Sequence, residues 1–203
     1  MCPKPEAANV CSLKNFVIEG DGKLKTKRSF FVTVFTSASL LLIGGLGAFA
    51  QAPSDPQIVE IVQTANEIDI DVAKLALKRT HNPQVREFAN QMISDHTNLK
   101  KSVSNLAKKL GVTPEQSSTS RELQQQAADE TKKLKNLQNK AFDKEYVAHE
   151  VAFHQAVIDA ATKTLIPDAK NAELKSALEG AAPLLQGHLQ HAKQLEQSLQ
   201  RGS

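Results

Sequence analysis

Five side chains in this sequence could hold a metal ion together: Asp69, His96, Glu150, His154 and His188. Carboxylate oxygens and imidazole nitrogens suit divalent transition metals such as Zn, Fe, Mn or Cu. Each of the five falls on the apolar face of a helical pattern, where an unpaired charge is costly. Glu150 and His154 stand four residues apart in FDKEYVAHEVAFHQAVIDAATKTL, Phe142 to Leu165. At 100° per residue they lie one turn apart on the face that carries Tyr146, Phe153, Val157 and Ala161. Asp95 sits at the edge of its own face beside His96, a place from which a carboxylate can orient a ligand imidazole. His81, His149 and His191 fall at surface or edge positions.

The same residues admit a purely structural reading. His154 and Glu150 can pair with His188 and Asp69 in a buried network that fixes helix register and does no chemistry. Periodicity alone leaves both readings open. Other chemistries find little support. The chain has no glycine-rich phosphate loop, no nucleophile elbow and no His-Glu-x-x-His zinc motif. A His beside a carboxylate can do acid–base work, but no substrate pocket is legible here.

The elements that must position these groups are helices. The 203 residues include eight Phe, one Tyr and no Trp. Ala, Leu, Lys and Gln are plentiful, which favours helix over sheet. The formal charge of +3 comes from 25 bases against 22 acids. Six of those bases and three of the acids precede Gln51, which leaves 19 of each in the remainder, with the signs mixed along it. That balance gives no footprint for nucleic acid. Cys2 and Cys11 also precede Gln51, so the later domain has neither a disulfide nor a catalytic thiol.

Residues 1–50 read as a tail plus a signal peptide. Lys23, Lys25, Lys27 and Arg28 form a positive start, and Phe30 to Ala50 is an uncharged, mostly apolar run ending in Ala48-Phe49-Ala50. Small residues at these places predict cleavage after Ala50 and export to the periplasm or cell envelope. The alternative is an anchor, because a run of roughly 20 residues can span a bilayer if left uncut. Residues 51–56 form a linker, with Ser54 or Asp55 as N-cap and Pro56 at the first helical position.

Residues 57–200 predict a four-helix bundle. The first helix, from about Gln57 to Thr80, carries Ile58, Ile61, Ala65, Ile68, Val72 and Ala76 with Asp69 inside the stripe. His81-Asn82-Pro83 forms a short break, so the second helix must return antiparallel. It runs from Pro83 to about Leu110, stopped by Gly111, with His96 central among Phe88, Met92, Leu99 and Val103. Asp69 and His96 are about equally far from the turn, and a rise of about 1.5 Å per residue puts them at one height. After a loop at Val112 to Ser120, Ser120 caps a polar crossover helix from Arg121 to about Asn139, the front of a longer third helix in one reading. Phe142 opens the third bundle helix and Pro167 ends it. The fourth runs from about Asn171 to Leu199, with His188 on its apolar face and a kink expected at Pro183.

Three stretches carry a family resemblance: VREFANQMISDHTNL (Val85 to Leu99), FDKEYVAHEVAFH (Phe142 to His154) and APLLQGHLQHA (Ala182 to Ala192). They resemble the signature segments of bacterial domain-of-unknown-function family 4142, exported ferritin-like domains often described as outer-membrane or periplasmic proteins. The likeness spans roughly Pro56 to Leu199. It implies an all-α, ferritin-like four-helix bundle with a crossover helix. It also places the family's recurring polar positions on Asp69, Asp95, His96, His154 and His188. Two departures stand out: Asp69 occupies a position expected to hold Glu, and Glu150 one where members often carry Met. True ferritin-type centres use two Glu-x-x-His pairs, and no helix here has one.

The leading expectation is an exported, non-catalytic bundle with a metal site at mid-length. The alternatives are a metal-dependent ferritin-like oxidoreductase and an envelope bundle whose polar core is structural and whose outer faces meet an envelope or membrane-associated partner.

Overall fold

The computed structural model describes residues 52–201, and these are helical throughout apart from short connections. The tail, the apolar run, the cleavage site and both cysteines lie outside the described residues. The helices are α1 (Asp55–Arg79), α2 (Pro83–Leu110), α3 (Ser118–Lys135), α4 (Asn139–Ala160), the short α5 (Ile166–Asp168) and α6 (Ala172–Arg201). None is long and apolar enough to cross a membrane.

Local chemistry sets the ends. The Ser54 N–H donates to Gln57 Oε1 at 3.1 Å, so Ser54 rather than Asp55 is the cap. Asp55 instead accepts from the backbone N–H groups of Lys170 and Asn171, at 2.8 and 2.9 Å. Asn82 caps α2 by accepting from the N–H groups of Gln84 and Val85. Gly111 ends it at φ 66°, a left-handed conformation that a Cβ would strain.

Three boundaries differ from expectation. Ser117, not Ser120, caps the crossover helix, because its hydroxyl accepts the Ser120 N–H at 3.0 Å while Ser120 Oγ accepts the Ser117 N–H. The crossover does not run on into the next helix. The chain breaks after Lys135 and restarts at Asn139, whose φ of 52° turns the backbone; asparagine tolerates this better than most side chains. Pro167 does not end its helix. A π-helical turn, Ala161–Leu165, lets the Ile166 N–H reach the Ala161 carbonyl, and α5 carries the chain past the proline.

The connections fix the topology. α1 and α2 are antiparallel neighbours, as are α4 and α6. Arg79, at the end of α1, donates to the carbonyls of Lys135 and Leu137, so α3 climbs back along the bundle before α4 starts. The Asp55 contacts return the end of α5 to the start of α1. The four bundle helices therefore run up, down, down, up, with α3 as the crossover on the outside.

Two apolar clusters fill the bundle from opposite ends. One holds Phe88, Met92, Leu134, Phe142 and Tyr146, and the other Ile58, Val59, Val103, Leu165 and Leu174. The layer between them is polar.

Candidate metal centre

Four helices each bring a side chain to that middle layer. α1 supplies Asp69, α2 His96, α4 Glu150 and His154, and α6 His188. All five are buried, with side chains no more than 5% exposed. Asp69 Oδ2 lies 3.3 Å from His96 Nε2 and 3.6 Å from His154 Nε2. The three imidazole centroids form a near-equilateral triangle with sides of 5.5, 5.2 and 5.4 Å. One ring nitrogen from each of the three lies within 4.8 Å of the other two. Asp69, Glu150 and His154 form a second such group that shares His154.

The far side of each ring is tied. His96 Nδ1 is 2.9 Å from Asn66 Oδ1, His154 Nδ1 is 3.0 Å from the Glu150 carbonyl, and His188 Nε2 is 2.9 Å from Asp95 Oδ2. The Asn66 amide is itself oriented, since its Nδ2 donates to the Val62 carbonyl at 2.7 Å and leaves the oxygen for His96. All three outer partners accept, so the outer nitrogen of each histidine carries the proton. The inner nitrogens, His96 Nε2, His154 Nε2 and His188 Nδ1, are then bare lone pairs, and none has a hydrogen-bond partner. Both oxygens of Asp69 are likewise unpartnered, and those of Glu150 have only the Tyr146 hydroxyl and His154 Nδ1, 3.4 Å away, beside them. Buried polar atoms are almost always satisfied, so this concentration of orphans at one spot demands a reason.

Electrostatics agree with the geometry. Burial is the main cause in every case. It pushes the His96 imidazolium down to about 3 and that of His154 to about 4, with the neighbouring histidines adding to the effect. His188 is lowered too, against the opposing pull of Asp95. Burial raises Asp69 to about 8, and raises Glu150 well above the usual carboxylate range with help from the Asp69 charge. Near neutrality the three rings are uncharged, the form a metal ion requires. A cation placed among them would meet three lone pairs and let the carboxylates ionise. The residues present therefore fit a transition-metal ion.

Every inward residue expected from periodicity reaches the middle layer, and Asp95 meets the His188 ring from the edge of α2. His81 is exposed; His149 and His191 are half-buried at the edge, His149 stacked on Phe153 and His191 against Phe88. Asn66 was not foreseen. The available signal was its place one turn before Asp69 on α1, where an amide breaks an apolar stripe.

Among the curated proteins none matches this chain. Solved structures do. "CopM in the Cu(II)-bound form" is similar at a TM-score of 0.55 and 17% identity, over 73% of this chain and 99% of that one. "CopM in the apo form" gives 0.56 and 18%, over 72% and 98%. "CopM in the Ag-bound form (by co-crystallization)" gives 0.54 and 18%, over 72% and 97%. At these identities the likeness speaks for the fold alone. The model of the family described as "Domain of unknown function (DUF4142)" matches residues 46–195, well over half of the chain, and the chain belongs to that family.

Proposed function

We propose that this protein holds a divalent transition-metal ion among His96, His154 and His188, with Asp69 as the neighbouring carboxylate donor. Glu150 supplies charge beside Asp69, and Asp95 and Asn66 hold the rings. One observation carries the reading: three buried imidazoles each bond outward through one nitrogen and leave the other bare toward the same point. A structural network would have given each of those nitrogens its own donor, whereas the single proton of Asp69 can serve only one of them.

An imidazole-rich, thiol-free site ranks Cu(II) and Zn above Fe and Mn by the ordinary order of divalent affinities. Support for copper also comes from the Cu(II)- and Ag-bound forms of the similarly folded CopM. The role is metal handling without catalysis in the periplasm or cell envelope. Support for export is the basic start and apolar run before Gln51.

Elemental analysis after refolding with Zn, Mn, Fe or Cu is the test. Retention of one ion per chain is expected. His154→Ala and His188→Ala should each lower it, and His81→Ala should not. No retained metal, or equal effects from all three variants, overturns the reading. Oxygen consumption on adding ferrous iron would instead favour the oxidoreductase.

A further inference from the structure

On the side of the polar layer that holds Val103, Leu165 and Leu174, the apolar cluster leaves part of the bundle open. A cavity of about 1300 Å³ opens among α1, α2, α3, α4 and α6. That is more than the roughly 300–1,000 Å³ of an ordinary small-molecule site. Its inner end is polar, lined by the buried Asp69, His96 and His154. Its walls are apolar, with Leu99, Leu106, Phe153 and Val157 half-buried along them. The cause is compositional. Ala65, Ala156, Ala160, Ala177 and Ala181 also line the space, and methyl groups do not fill it.

The wall has a one-sided charge. Asp69, Glu122, Glu130, Asp168 and Glu173 line it, and no Lys or Arg does. This happens in a chain whose acids and bases balance after Gln51. Lys133 and Lys109 pair with Glu130 and Glu173 without lining the cavity themselves. Glu122 and Asp168 have no ion pair among the described residues, and at the inner end neither Asp69 oxygen has a hydrogen-bond partner. The charge of the wall thus lies at exposed Glu122 and Glu173 and half-buried Asp168, while buried Asp69 offers a polar, largely protonated inner end.

We propose that this cavity binds an amphipathic organic cation, with the apolar body along the alanine-lined walls and the positively charged head among the unpaired carboxylates. Apolar walls favour removing hydrocarbon from water. A cleft of one charge sign between low-dielectric walls concentrates the opposite sign and repels its own. An anionic amphiphile of the same length meets the same walls but the wrong field. Of the cavity's carboxylates only Asp69 belongs to the metal centre.

The experiment is calorimetric titration of the metal-free full-length protein with decyltrimethylammonium and with decanoate, both below their micellar concentrations. The two share a chain length and differ in head charge. Decyltrimethylammonium should bind at least about tenfold tighter at low salt, and the gap should narrow in about 1 M NaCl, where the screening length falls to about 3 Å. Glu122→Gln combined with Asp168→Asn should remove most of the preference. Ala181→Phe, which fills the wall, should weaken both ligands while circular dichroism stays unchanged. His188→Ala, expected to lower metal retention at a residue that does not line the cavity, should leave cation binding intact. Equal or tighter binding of decanoate, binding of neither ligand, or cation binding indifferent to both cavity variants overturns the proposal.

Discussion

His188 Nε2 on α6 lies 2.9 Å from Asp95 Oδ2 on α2, and the two differ sharply in exposure. The His188 side chain is 1% exposed and that of Asp95 27%. The bond joins the buried imidazole triangle to the outside of the bundle. It also fixes which nitrogen of His188 turns inward. Asn66 does the same for His96 from within the core.

Loss of either outer partner should therefore weaken metal binding without removing a ligand. Asp95→Ala and Asn66→Ala are each expected to lower affinity about 10- to 100-fold, the usual cost of losing a group that orients a ligand histidine. Competition with a chelator of known affinity measures this. Wild-type affinity in both variants would mean that the rings need no orienting.

Metal binding should release protons. Asp69, raised to about 8 by burial, is mostly protonated at pH 7 and must ionise to serve beside a cation. Titrating Cu(II) or Zn into the protein in buffers of different ionisation enthalpy counts the protons. About one per metal is expected from Asp69, beyond any that Glu150 gives up, and Asp69→Asn should lower the count by about one.

The pH dependence of the metal-free protein follows from the same groups. A pH unit or more above 6.5, His96, His154 and His188 are neutral in both folded and unfolded chains and contribute little slope. Asp69 keeps its proton in the fold up to about pH 8 but loses it near 3.8 when unfolded. The folded state thus binds more protons, and stability falls as pH rises through that window. Glu150, raised by the same burial, acts in the same direction, so stability should fall by on the order of 1 kcal/mol per pH unit through this range. Below pH 6.5 the histidines oppose this trend. Held near 3 and 4 in the fold, His96 and His154 take up protons only on unfolding, so acid destabilises through them. Urea denaturation from pH 6 to 8.5 tests the claim, and Asp69→Asn should flatten the curve in the upper part.

One backbone position isolates conformational strain. A Cβ on Gly111 would touch nothing within 4 Å, so Gly111→Ala changes no packing. The left-handed φ of 66° alone should cost about 1–2 kcal/mol. Leu134→Ala tests the docking of α3 instead. Leu134 is fully buried, and truncation there should cost about 2–5 kcal/mol in the same denaturation assay.

Much of this protein follows from periodicity. Apolar residues recurring every three or four positions set four long helices and the face that each turns inward. The short turn at His81 to Pro83 made α1 and α2 antiparallel, and a constant rise per residue then put Asp69 and His96 at one height; they stand 3.3 Å apart. His188 meets them because it sits near the middle of α6, and His154 because it is central in the rod that α4, the π turn and α5 make together. Tertiary structure alone decided what these groups can do there. Which ring nitrogen is bare depends on Asn66, Asp95 and the Glu150 carbonyl, two of which reach across from another helix. The alanine-lined cavity is likewise a property of no single helix. Periodicity records which way a side chain points, but hydrogen-bond direction, unfilled volume and the field of distant carboxylates exist only once separate helices stand side by side.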